Sequence, residues 1–65
     1  MQSVDRIVTI LALLSDSSKG MGITELSEAC DLPKSTLHRI LTSLVHHDFA
    51  LQDAQSKKYR LGSAM

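Results

Sequence analysis

Aromatic side chains are scarce in this chain: Phe49 and Tyr59 are the only two, and tryptophan is missing, so any core must be built from aliphatic side chains. A single cysteine, Cys30, rules out an internal disulfide. With three methionines and no secretory signal, it points to a reducing cytosol. Long apolar runs are missing too. The longest, Ile10 to Leu14, has five residues, against the roughly 20 that a transmembrane helix requires. Sixty-five residues make at most one domain, and at that length folding buries only about 60% of the surface of the unfolded chain, which leaves no room for a deep catalytic cleft.

Net charge is zero, but the charges are not evenly spread. In residues 1–33, Arg6 and Lys19 stand against Asp5, Asp16, Glu25, Glu28 and Asp31, a balance of −3. In residues 34–65, Lys34, Arg39, Lys57, Lys58 and Arg60 stand against Asp48 and Asp53, a balance of +3. The distribution matters more than the sum, and it puts the cations in the half that carries the candidate binding segments.

Ser3 is a suitable N-cap, and Val4, Ile7, Val8, Leu11 and Ala12 follow at helical spacing, so a first helix is expected to about Leu14. Ile10, Leu13 and Leu14 widen its apolar face beyond one stripe. Two readings stand: a second contact surface, or a central helix packed on two sides. Ser15 to Gly22 reads as a loop. Thr24 is expected to cap a short second helix, with Glu25 against its positive end and Leu26, Ala29 and Cys30 on one face. Asp31 and Leu32 form the turn, and Pro33 is either the cap or the first residue of the next helix. From Lys34 to about His47, the spacing of Leu37, Ile40, Leu41, Leu44 and Val45 is the clearest helical period in the chain. The opposite face, with Lys34, Ser35, Thr36, His38, Arg39, Thr42 and Ser43, is polar and carries no acid. Phe49–Gln52 and Lys58–Leu61, separated by a polar tip over 53–57, read as a β-hairpin that packs on the helices through Phe49, Leu51, Tyr59 and Leu61.

The expected fold is therefore mainly α with a small β-hairpin: a winged helix-turn-helix, with a three-helix core and a two-stranded wing. A helix that enters a DNA major groove about 12 Å wide needs one apolar face for the core and slender polar groups on the other. Lys34, Ser35, Thr36, His38 and Arg39 supply them. Arg39 is the candidate for base reading, because a guanidinium fork bonds guanine O6 and N7 together, with a phosphate contact as the competing assignment. Ser35 and Thr36 sit where a helix N-terminus holds phosphate or touches a base. His38 is either a base contact or a surface histidine without a role. Thr24, at the start of the second helix, joins the DNA-contacting set. Lys57 and Lys58, on the wing over about 53–58, reach the flanking backbone or the minor groove, with Arg60 further down the second strand adding affinity, or else these cations protect a solvated edge strand.

Four segments, Gln2-Ser3-Val4-Asp5-Arg6, Ile23-Thr24-Glu25-Leu26, Leu32 to Leu41 and Lys58-Tyr59-Arg60-Leu61-Gly62, resemble in order and spacing the N-terminal domain of IclR-type bacterial transcription regulators. The hairpin tip departs from that pattern in lacking Pro and Gly. The resemblance implies a DNA-binding domain over 1–61, more often part of a repressor, and the start of a linker at 62–65 to a C-terminal domain that binds a small-molecule effector. It also implies double-stranded promoter DNA as partner, a homodimer or dimer of dimers through helix 1 and the linker, and a place in the cytoplasm on the nucleoid. Arg6 is carried over as a phosphate contact at the edge of the footprint.

His38, His46, His47, Cys30 and Asp48 contain metal-ligand chemistry, but adjacent histidines point apart on a helix, and no metal or other cofactor is expected. No nucleophile is paired with a base and no glycine-rich phosphate loop is present, so an enzyme is not expected. The alternative is a winged helix used for protein contacts, which a neutral chain would suit.

Overall fold

The computed structural model describes residues 2–63. Helices α1 (Gln2–Asp16), α2 (Ile23–Cys30) and α3 (Lys34–His46) precede an antiparallel hairpin of β1 (Ala50–Gln52) and β2 (Tyr59–Leu61). One core joins them. Ile10 and Leu14 from α1, Leu26 from α2, Leu32 from the turn, Leu37, Leu41 and Leu44 from α3, and Ala50 and Tyr59 from the hairpin are all buried. Each fully buried aliphatic side chain of this size is worth about 1.5–3 kcal/mol, so these contacts hold a small domain together. The architecture is the expected winged helix-turn-helix.

The helix ends differ in detail from expectation. α1 begins at Gln2, so Ser3 lies inside its first turn and is not the cap, and the helix runs two residues past Leu14. Its inward face is centred on Ile10 and Leu14, while Val4 and Val8 are 55% and 57% exposed. α2 is capped by Gly22 and not by Thr24. The Gly22 N–H donates to Glu25 Oε1 at 3.0 Å, which fixes Glu25 as the third helical residue and Thr24 as the second. Of the expected inner face of α2, Leu26 is buried, Cys30 is half-buried and Ala29 is exposed. Burial pushes the Cys30 thiol pKa up, as suits a residue that packs as a small apolar group. The turn starts at Asp31, whose left-handed backbone (φ 56°) ends α2, and Ser27 Oγ donates to the Leu32 carbonyl. Pro33, with extended backbone, is the N-cap of α3, and its carbonyl accepts the Leu37 N–H at 3.0 Å.

α3 stops at His46, one residue short of expectation. Asp48 takes the left-handed conformation (φ 63°), and the Phe49 N–H returns to the Leu44 carbonyl at 2.9 Å, the bond that closes many helix ends. That reversal sets which side of β1 faces inward. Ala50 is buried, whereas Phe49 and Leu51 are 38% and 43% exposed, so the expected packing of those two side chains is corrected. The pairing agrees: Ala50 lies opposite Leu61 and Gln52 opposite Tyr59 on the inner face, with Leu51 opposite Arg60 on the outer one. Phe49 instead stacks on the His47 ring, centroids 6.4 Å apart.

Ser15–Gly22 is not wholly a loop. Ser15 and Asp16 complete α1, and Met21 makes a bridge to Tyr59 through Met21 N–H to Tyr59 O at 2.9 Å and Tyr59 N–H to Met21 O at 2.7 Å. β2 therefore lies between β1 and a one-residue third strand. Gly20, at φ 87°, makes the approach; a Cβ there would sit 2.8 Å from both the Tyr59 carbonyl and Arg60 Cγ. The expected linker start at 62–65 lies outside the described residues beyond Ser63.

Candidate nucleic-acid interface

The outer face of α3 forms an exposed ridge. Lys34, Ser35, His38, Arg39, Thr42 and Ser43 face solvent and Thr36 is half-buried, while Leu37 and Leu41 anchor the helix with no exposed surface. No acidic residue lies in its first turn. The side chains of Lys34, Ser35, His38 and Arg39 are thus held outward by a leucine row that leaves the helix little freedom to rotate.

A groove runs along each flank of the ridge. On the α1 side, a hollow of about 410 Å³ is lined by Arg6, Ile7, Thr36, Arg39, Ile40 and Ser43. Arg6 and Arg39, which come from different helices, thus face one hollow floored by aliphatic side chains and edged by two hydroxyls. Thr36, Ile40 and Ser43 recur at i, i+4 and i+7, so one stripe of α3 serves that side. On the wing side, a hollow of about 340 Å³ brings together Thr24, His38, Gln52, Ser56 and Lys57. The one acid lining it, Glu25, has Oε1 bonded to the Gly22 N–H. A shallower surface, formed by His38, Arg39, Thr42, Ser43 and His46, continues along the ridge toward its C-terminal end.

The wing tip is built without glycine or proline. Asp53 Oδ2 accepts the N–H groups of Ser56 at 2.7 Å and Gln55 at 3.2 Å, and the Asp53 carbonyl accepts the Lys57 N–H at 2.8 Å. Lys57 supplies the left-handed residue at φ 65°. Hydrogen bonding from the Ser56 backbone and hydroxyl, ahead of the weaker bond from the Gln55 N–H and the field of Arg60, holds the Asp53 carboxyl below its ordinary pKa. Lys57 is exposed on the side of the wing facing α3, whereas the half-buried Lys58 and the exposed Arg60 line a different hollow with Ser18 and Lys19.

The expected site residues therefore fall into three places. Lys34, Ser35, Thr36, His38 and Arg39 share the ridge, with Arg6 beside Arg39; Thr24 and Lys57 face His38; Lys58 and Arg60 lie apart on the wing's far side. Sequence reasoning missed Gln52, Ser56 and Lys19 as lining residues. Gln52 had a signal, since alternation along β1 puts it on the inner face. Lys19 had none, because the Met21–Tyr59 pairing that brings its loop to the wing is non-local.

Comparison with known proteins bears on the family and the fold. The model of the IclR helix-turn-helix domain matches residues 3–54. The chain belongs to the IclR helix-turn-helix family. This IclR-type domain is 41% identical over 61 residues to the HTH-type transcriptional regulator XynR of Escherichia coli (strain K12), covering 94% of this chain and 24% of that protein. It is 33% identical over 64 residues to the glycerol operon regulatory protein of Streptomyces coelicolor, covering 98% of this chain and 25% of that one. The crystal structure of Pseudomonas aeruginosa HmgR superposes with a TM-score of 0.85 at 33% identity, over 98% of this chain and 26% of that chain. The IclR-type chain thus spans about a quarter of the length of these relatives. Its helix-turn-helix is the DNA-binding domain type of transcription regulators. No helix among the described residues is long and apolar enough to cross a membrane, and no group of three metal-ligating side chains comes together among them.

Proposed function

We propose that the ridge of α3 enters the major groove of promoter DNA while the two flanking hollows receive the two sugar-phosphate backbones that border it. The supporting observation is the pairing of an exposed, acid-free ridge, Lys34 to Arg39, with a hydroxyl- and cation-lined hollow on each side. Arg39 reads a base edge, guanine by preference. Ser35, Thr36 and Lys34 engage phosphate or bases at the helix N-terminus, and His38 reaches the groove from the wing side. Arg6 and Ser43 hold the backbone on the α1 side; Thr24 and Lys57 hold the other. Lys58 and Arg60 add sequence-independent attraction.

The rest of the reading concerns the larger regulator. The exposed valines of α1 favour a two-fold dimer through that helix, with half-sites about one helical turn apart or a multiple of it. Residues 1–61 act as the reading domain. The chain from Gly62 onward begins a linker to a domain that senses a small molecule, and the whole works in the cytoplasm without catalysis. The names of relatives, operon regulators and a repressor among them, favour DNA over the protein-contact alternative.

Selection of bound fragments from random duplex DNA tests the proposal, followed by Arg39→Ala on the recovered site. The substitution should cost about 1–3 kcal/mol on that site and leave mixed-sequence binding nearly unchanged. Equal loss on every sequence would reassign Arg39 to phosphate. Failure to enrich any sequence would remove the reading altogether.

A further inference from the structure

The far face of the wing, turned away from α3, carries a second cationic cluster. Lys19 from the α1–α2 turn meets Lys58 and Arg60 of the hairpin around a hollow edged by the hydroxyls of Ser18 and Ser56, with Asp53 as the one acid lining it. Two features hold the cluster together. The turn is pinned by Ser17 Oγ donating to the Gly20 carbonyl at 2.9 Å and by the two reciprocal backbone hydrogen bonds between Met21 and Tyr59. Gly20 leaves room for the stems of Arg60 and Lys58 to cross it, since a Cβ there would stand 2.8 Å from Arg60 Cγ and 3.4 Å from Lys58 Cβ. The Asp53 carboxylate is turned to the Ser56 and Gln55 N–H groups and leaves a balance of +2 among the lining charges.

Resting on the DNA-binding reading, we infer that this far face is a phosphate site for the second backbone of the minor groove next to the ridge's footprint, with Lys19 as a contact. Ser56 lines the hollows on both faces of the wing, so the two meet at the tip. A minor groove about 6 Å wide is walled by phosphates on both sides. A wing lodged there needs cations on both faces, and this one has Lys57 on one and Lys19, Lys58 and Arg60 on the other. An acidic protein surface would complement one face only. Because the turn is pre-formed, fixing Lys19 against phosphate costs little further backbone order.

The test is fluorescence anisotropy of a 30-bp mixed-sequence duplex between 50 and 200 mM salt, with polyglutamate as a second probe. Lys19→Ala should make the log–log salt slope shallower by about one unit, and Lys19→Ala with Arg60→Ala by about two, so that the wild-type advantage shrinks about tenfold across that range. Lys19 is exposed in a turn, so the single variant keeps the fold if the double one does not. An unchanged slope in the single variant, while Arg39→Ala still weakens binding to the selected site, overturns this inference alone. Lys19-dependent binding of polyglutamate tighter than that of DNA overturns it in favour of an acidic protein. Failure of the wild type to bind any duplex removes both this inference and the reading beneath it.

Discussion

Helices α1 and α3 are of similar length, 15 and 13 residues, and both are amphipathic, yet they leave opposite things outside. On α3 every leucine, isoleucine and valine is at least half-buried, and its exposed residues carry only hydroxyls, imidazoles and cations. On α1, Val4 and Val8 lie in the open one turn apart, with the exposed Ala12 one turn further on. A polar ridge in water is already satisfied and gives up its hydration only for a charged polymer. An apolar stripe in water is unsatisfied and gains by being covered by another apolar surface. Two helices of one small core therefore present two chemically different surfaces to solvent.

The largest effect should come from breaking the feature the two helices share, the inward row. Leu41→Ala removes a fully buried side chain from the centre of α3 and should lower unfolding stability by about 2–5 kcal/mol, read by chemical denaturation. Val8→Asp sharpens the contrast. Made on the outer stripe of α1, it should change monomer stability by no more than about 0.5 kcal/mol while abolishing, in sedimentation, the dimer proposed to form through that helix. A variant that unfolds like Leu41→Ala, or that sediments as the wild type does, would deny α1 its separate role. The smallest effect concerns the wing. The Asp53 carboxyl sits below its ordinary pKa of 3.8, so its support for the tip is complete above that value and is lost as pH falls through the lower folded value. The amide resonances of Gln55 and Ser56 should move in that acid range, and in Asp53→Asn they should stay flat.

The helices were legible in the sequence because their signals are local. The i, i+3, i+4 spacing of Leu37 to Val45 needs no tertiary information, and the exposed ridge follows from it. What was not legible depended on contacts distant in sequence or on unusual choices of residue. Asp48 and Lys57 fill left-handed positions where glycine is the common signal, so the end of α3 was placed one residue late and the wing tip carried no clear mark, whereas the α2 end at Asp31 was read through the Pro33 that follows it. Apolar size pointed the wrong way in β1: Phe49 and Leu51 look like core residues, but the reversal at Asp48 turns Ala50 inward. The site divided in the same manner. Its polar ridge was readable, whereas the sharing of one groove by Arg6 and Arg39, and the separation of Lys57 from Lys58 and Arg60, arise only when α1 and the hairpin dock on α3.

Beyond the hairpin, the Gly62 N–H bonds the Phe49 carbonyl at 2.9 Å, and the residue lies so close to the Asp48 carbonyl that a Cβ would collide with it. Phe49 is itself tied to Leu44 in the last turn of α3. The strand's exit is thus riveted to the trailing end of α3. Only two hydrogen bonds separate Gly62 from the last turn of that helix, so the orientation of the residues leaving the hairpin is fixed to the orientation of the ridge.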